Sequence, residues 1–374
     1  MKNSPKPSGE YAVGTFTYTV KDDREEILRP GTMRSISARV YYPVLKEAAA
    51  GLKKSRYMSR EMFKGLMDSF RIRMDYDKKT AAGDNESECF EGAPRIEGKR
   101  FPLIIFNHGY KSFREGNSFL CIDLVSRGYV VISIGHPLEG MCTEYDDGSF
   151  IYGDNKLLKE ANKPFIPNLI AMMKLTKLKG SDEENAAAFD AYQKRFGGFM
   201  KKRLPEWAKD INAAVKYAKD NLGNMIDFDC GIGLTGHSFG GASAYYLCMN
   251  DPQYVCGVNI DGGLFGEYGD RVLNTPFMQI TSEANEKLVA RGYLHNSCPV
   301  YKAVFRDMKH IGFSDMKFAI KVGSMTGKLS AEEMHENLCR CHAEFFDAHL
   351  KKIKERPELA SNDVVRFKVY EPQV

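Results

Sequence analysis

No run of this 374-residue chain stays apolar for the ~18 residues that a helical bilayer span requires. That excludes a protein anchored by a buried membrane helix and leaves open one that rests on a membrane surface. A surplus of either charge is also missing: the formal charge is +4, and lysine and arginine form no long block. The basic tail or stripe with which a chain grips nucleic acid is therefore excluded. The opening MKNSPKPSGE has no apolar core of the kind a secretory leader carries. Nine cysteines, an odd number, are scattered from 89 to 341, several of them inside apolar runs where a thiol acts as a small hydrophobe. This usage argues against a disulfide framework and predicts reduced thiols in a cytoplasmic protein. Metal-ligand spacing is absent too. CRCH at 339–342 is too short to chelate from one helix, and EYDDGSF reads as a turn rather than a calcium loop. No cofactor, metal or obligate protein partner is expected, and there is no internal repeat.

What is present has the profile of a globular protein with a sizeable core, 43% hydrophobic and 27% charged. YAVGTFTYTV and SISARVYYP alternate and are rich in β-branched and aromatic residues, which predicts two antiparallel strands. Residues 45–99 read as a helical elaboration, with Met62, Phe63, Leu66, Met67 and Phe70 at helical spacing. From FPLIIFNHG onward, strands expected at 102–107, 129–135, 231–236, 255–260, 276–281 and 300–305 alternate with helices at 117–127, 206–222 and 240–249. Such alternation predicts one α/β domain over 1–374, with a mostly parallel central sheet covered by helices on both faces. Residues 141–205 break the rhythm and carry their own helices, including SDEENAAAFDAYQKRF with a capping box of Ser181 and Glu184. An insertion there is expected to cover the carboxyl ends of the strands as a helical lid. A closing helix starts near Ser330, and His335, His342 and His349 are expected on its surface.

The segment GLTGHSFGGASAYY, residues 233–246, holds Ser238 between Gly236 and Gly240 at the end of an apolar strand and the start of a helix. Gly-x-Ser-x-Gly in that context is the spacing of a nucleophile presented on a strained turn. The amide of Phe239 then faces the same space from a helix N-terminus, where it serves as an oxyanion donor. A serine hydroxyl needs a base to take its proton and an acid to hold that base in one tautomer. In the chain order serine, acid, histidine, Asp261 of YVCGVNIDGG ends the next strand, and His310 of VYKAVFRDMKHIGFSD follows a late one. His295 is the rival but precedes its strand. The second oxyanion donor is expected in IIFNHGYKSF, at the amide of Tyr110, with Asn107 and His108 bracing the loop. His136, Phe113, Phe165, Leu169, Met172 and Met173 are candidates for the substrate pocket, the last four from the lid, where methionine adapts to varied ligands.

FPLIIFNHGYKSFREGNSFLCIDLVSRGYVVISIGH, GLTGHSFGGASA, NIDGG and KHIGFSD together resemble the platelet-activating factor acetylhydrolase family, the plasma type and its intracellular relative. The resemblance runs from about residue 100 to 350 and is weak before that. It implies an α/β-hydrolase fold and a calcium-independent serine esterase that releases short or oxidised acyl chains from phospholipids. It also implies a triad of Ser238, Asp261 and His310, with oxyanion donors at Phe239 and Tyr110. The lid is Met-rich and unlike that of secreted members, so a general carboxylesterase, lipase or polyester hydrolase stays open as an alternative. An acyltransferase and a non-catalytic ligand-binding homologue stay open as readings of other classes.

Overall fold

Runs such as LIIF and VVISI carry no charge and several β-branched residues, so they suit strands buried on both faces. In the computed structural model, which describes residues 4–70, 73, 75–80, 85–160, 163–320 and 322–373, Leu103–Phe106 and Val130–Ile132 have no exposed surface. The described chain gathers into two compact units, Met1–Leu157 with Asp210–Cys230, and Leu158–Lys209 with Gly231–Val374.

The first unit contains β1 (Ala12–Glu25), β2 (Met33–Val44), β3 (Lys54–Arg56), β4 (Glu86–Glu91), β5 (Phe101–Asn107), β6 (Val130–Gly135) and a small antiparallel pair, β7 (Cys142–Glu144) with β8 (Phe150–Tyr152). Its main sheet runs β5-β6-β2-β1-β4-β3. β5 and β6 are parallel, and β2 returns antiparallel to β6 with Ser37 opposite Gly135. The expectation that 45–99 is helical needs correction. Helices Arg60–Phe70 and Tyr76–Thr80 are present, but β3 and β4 extend the sheet beside β1. The reason is local: in ESECFE, Ser87 and Cys89 turn inward while Glu86 and Glu88 turn outward, a period of two that outweighs the helical surroundings. Parts of the same interval (71–72, 74 and 81–84) and of the proposed lid (161–162) lie outside the described residues.

The second unit holds β9 (Ile226–His237, whose first residues fall in the first unit), β10 (Tyr254–Ile260), β11 (Phe277–Ser282), β12 (Val300–Phe305) and β13 (Val365–Tyr370), in the order β13-β12-β11-β10-β9. β9 to β12 are mutually parallel, so their carboxyl ends share one edge. β13 is an antiparallel edge strand that the sequence reading missed. It is short and bears Arg366 and Lys368, a composition that discourages further pairing. Helix Asp182–Phe196 begins at the anticipated capping box: Ser181 accepts from the Glu184 amide and Glu184 from the Ser181 amide. Helix Phe165–Thr176 packs with it through Leu175, Ala171 and Met172 onto Phe189, Tyr192 and Leu288. Leu288 follows β11 and Phe265, in the same cluster, follows β10. Both helices thus lie at the carboxyl edge of this unit's sheet.

Helix Ala331–His349 starts at the capping box of Ser330 and Glu333. The expectation that its histidines form surface is corrected at His342, which has no exposed area. Its Nδ1–H donates to the Leu338 carbonyl at 2.8 Å and its Nε2 accepts from the Thr235 hydroxyl at 3.0 Å. A neutral imidazole with both nitrogens satisfied tolerates that burial, which pushes its pKa down to about 4.

Candidate active site

Ser238 closes β9 with φ 57° and ψ −122°, a backbone conformation that side chains rarely adopt and that costs about 1–3 kcal/mol. The turn is held by hydrogen bonds on both sides. The Ser238 amide donates to the Ile260 carbonyl at 2.7 Å, and its carbonyl accepts from the amides of Gly241 and Ala242 as the helix Phe239–Asn250 begins. The close approaches fall on Gly241 and Gly262. A Cβ at Gly241 would collide with the Asn259 side chain, and one at Gly262 with the Ser238 carbonyl. Phe239 is the first residue of the helix, and its buried ring meets Trp207 edge-on at 4.8 Å. Its amide therefore sits where helix N–H groups lack intrahelical acceptors.

Three side chains far apart in sequence meet at this turn. His310 Nε2 lies 2.9 Å from Ser238 Oγ, and His310 Nδ1 lies 2.8 Å from Asp261 Oδ2. Asp261 is fully buried while 42% of the His310 side chain is exposed, so the acid is sheltered and the base is reachable. Asp261 accepts three further hydrogen bonds, from the Ser282 amide and hydroxyl on Oδ1 and from Asn285 Nδ2 on Oδ2. With those donors in place, its second oxygen is left to accept the Nδ1–H of His310, which leaves Nε2 free to accept from the serine. Asn259 clamps the turn beneath: its amide donates to the Gly262 carbonyl and its oxygen accepts the Gly262 N–H.

Sequence reasoning did not single out Ser282, Asn285, Asn259 or His237. The first two end and follow β11, a strand whose neighbour is unknown without the fold. His237 was visible as the residue before the serine. Its Nε2–H donates to the His310 backbone carbonyl at 3.0 Å and its ring packs 4.8 Å from the His310 ring, fixing the loop that carries the base. His295, the rival histidine, lies outside this constellation beside Asp270.

Burial, and then the neighbouring His310, push the His237 pKa down to about 3, and burial takes His349 to about 4. Unfolded, each of these residues and His342 titrates near 6.5, so below that pH the unfolded chain takes up protons that the folded chain refuses. Their stabilisation is complete above pH ~6.5 and is lost on acidification at roughly 1.4 kcal/mol per pH unit for the buried His237 and His342, and by less for the half-buried His349. Thermal unfolding is expected to shift steadily downward between pH 7 and 5, with a shallower slope for His342→Gln. A melting temperature flat across that range would contradict the assignment.

Tyr110 belongs to the first unit. The Gly109 carbonyl accepts from the Ser112 amide at 2.9 Å and from His108 Nδ1 at 2.7 Å, while His108 Nε2 accepts from the His136 amide at 3.2 Å. Carbonyl and N–H of one trans peptide point in opposite directions, so these bonds aim the Tyr110 amide. His136 has no exposed surface and its Nδ1 lies 2.8 Å from Asp210; Phe113 is likewise buried. Phe165, Leu169 and Met173 are 63%, 48% and 50% exposed, whereas Met172 packs on the Phe189 cluster. Among the described residues, no group of three or more His, Cys, Asp or Glu side chains is placed to hold a metal ion.

A serine on a strained strand-to-helix turn, served by a histidine and a buried carboxylate from later strands, defines an α/β-hydrolase of the serine type. The model of the family described as platelet-activating factor acetylhydrolase, isoform II, matches residues 1–328, and the chain belongs to that family. The match begins at residue 1, so the likeness reaches well before residue 100. A platelet-activating factor acetylhydrolase from Cavia porcellus is 23% identical over 92% of this chain and 78% of its own length. One from Canis lupus familiaris is 28% identical over 69% of this chain and 54% of its own, so the match spans about half of that relative. A ferulic acid esterase from Streptomyces cinnamoneus superposes with a TM-score of 0.71 at 19% identity, over 96% of each chain, which shows the shared fold. The protein is a hydrolase of carboxylic esters.

Proposed function

We propose that this esterase releases short acyl groups from glycerophospholipid-type esters, with Ser238 as nucleophile, His310 as base and Asp261 as its orienting acid. The continuous Ser238–His310–Asp261 hydrogen bonding carries the reading. His310 takes the serine proton as Oγ attacks the ester carbonyl, and Asp261 stabilises the imidazolium. The amides of Phe239 and Tyr110 are the proposed oxyanion donors, each worth about 3 kcal/mol to the transition state. His310 then protonates the leaving alcohol and activates water against the acyl-enzyme. The substrate class follows from relatives named as platelet-activating factor acetylhydrolases and, in Arthroderma benhamiae, as a probable 1-alkyl-2-acetylglycerophosphocholine esterase. A panel of esters from acetyl to palmitoyl, including a 2-acetyl glycerophosphocholine, combined with fluorophosphonate labelling, tests both parts. Labelling that persists undiminished in Ser238→Ala removes the nucleophile assignment, and a preference for long acyl chains removes the substrate class.

The helices of 141–205 are the proposed lid, and its outer face is the proposed contact with lipid. Phe165, Ile166, Leu169, Ile170 and Met173 are each about half exposed or more and form one stripe along helix Phe165–Thr176. Making Ile166 and Met173 aspartate is expected to lower the rate on micellar esters about tenfold and leave dissolved p-nitrophenyl acetate unaffected. An equal change on both substrates would show that the stripe serves only the fold. Seven of the nine cysteines are buried, where a thiol packs as a small hydrophobe, which supports a reducing compartment such as the cytoplasm.

A further inference from the structure

The first unit contains a cavity of about 620 Å³ whose lining includes none of Ser238, Asp261 or His310. It opens where the β1–β2 hairpin meets the loop after β6 and the turn between β7 and β8. Its charged lining carries both signs, two cations and three carboxylates. Lys21 and Arg29 are exposed cations that make no ion pair among the described residues. Asp146 and Asp147 face them from the turn between β7 and β8, tied by hydrogen bonds to Thr19 and Ser149; Asp147 feels the charge of Lys21, but neither makes an ion pair among the described residues. Glu26, the remaining acid of the lining, is ion-paired with the buried Arg34, which it shares with Asp210. Tyr145 and Tyr217 add aromatic surface.

A pure anion in this space would meet Asp146 and Asp147, and a pure cation would meet Lys21 and Arg29. A ligand with separated charges and no net charge satisfies both groups. We propose that this cavity is a binding site for a zwitterionic phosphocholine group, with its phosphate on Lys21 and Arg29 and its quaternary ammonium between Asp147, Asp146 and the two tyrosines. Guanidinium and ammonium groups pair with phosphate, and a quaternary ammonium is bound by tyrosine faces and carboxylates. The volume lies in the range of small-molecule sites and exceeds that of the group itself. The choice of phosphocholine over other zwitterions rests on the proposed substrate class; the placing of cations opposite carboxylates does not.

The test is isothermal titration of the full chain carrying Ser238→Ala, with phosphocholine, sn-glycerol 3-phosphate and choline as separate probes. Phosphocholine is expected to bind at least tenfold more tightly than either half. Arg29→Ala and Asp147→Asn, both at exposed positions, are each expected to weaken it about tenfold with the melting temperature unchanged. Glycerol phosphate binding as tightly would make the cavity a plain anion site and overturn the proposal. So would choline binding as tightly, no binding of any probe, or affinities untouched by both substitutions. Failure here leaves the esterase reading intact, because p-nitrophenyl acetate turnover and fluorophosphonate labelling of the native chain report on the serine and carry no phosphocholine to bind. Conversely, phosphocholine binding in a chain that cleaves no acetyl glycerophosphocholine would sink the substrate class and leave the site standing.

Discussion

Alanine in place of Ser238 is expected to lower kcat on p-nitrophenyl acetate by roughly 10⁶, with the fold retained. The hydroxyl removed is the one placed 2.9 Å from His310 Nε2, and the oxyanion donors alone support only slow attack by water. The melting temperature is expected to stay within a few degrees, because the turn is held by backbone bonds from Ser238 to Ile260, Gly241 and Ala242 that alanine keeps. Asp261→Asn gives the companion result, a fall of roughly 10⁴. Its carboxylate accepts from Ser282 on one oxygen and from Asn285 and His310 on the other. An asparagine amide must set its own donor against one of those sets whichever way it is turned. Residual activity within tenfold of the native chain in either variant would place the chemistry elsewhere.

The candidate triad was legible in the sequence because each member announces itself locally. Ser238 has its glycine spacing, and Asp261 and His310 each follow an apolar strand in the order the turn demands. The parallel strands were legible for a similar reason, since a fully buried strand cannot carry interior charge. What escaped depends on partners distant in the chain. Asn285 gains meaning only once β11 lies beside β10, bringing its amide to Asp261. His342 reads as a polar helix residue until Thr235 of β9 supplies its second hydrogen bond. β13 lies beyond the closing helix in a segment with four charges around a few apolar residues, and pairing with β12 decides its conformation. His136 has the same lesson: its place at a strand end suggested a pocket wall, and only the fold shows the carboxylate that holds it.

That carboxylate, Asp210, is expected to be the costliest position in the first unit. It has no exposed surface and accepts from Arg34 Nε and Nη2 at 2.6 Å each, from Arg24 Nη2 at 2.8 Å and from His136 Nδ1 at 2.8 Å. It thereby ties β1, β2 and the loop after β6 to the helix Gly198–Asn221. Burial alone would raise its pKa, but Arg34 and then His136 overcome that and hold it far below the usual carboxylate range. A depressed carboxylate stabilises the fold above pH ~4 and loses that contribution only as pH falls below it, so the full effect is present at neutrality. Asp210→Ala strands the buried Arg34 guanidinium on Glu26 and the more distant Glu139, at 3.7 Å, and leaves His136 Nδ1–H without its acceptor. Breaking a buried pair from one side costs about 3–5 kcal/mol, which lowers the melting temperature by roughly 5 °C. Adding Arg34→Met removes the stranded cation, so Asp210→Ala is expected to cost less by at least ~2 kcal/mol in that background. Equal costs in the two backgrounds would mean that Asp210 acts through packing, and the charge network would then have no part in holding the unit together.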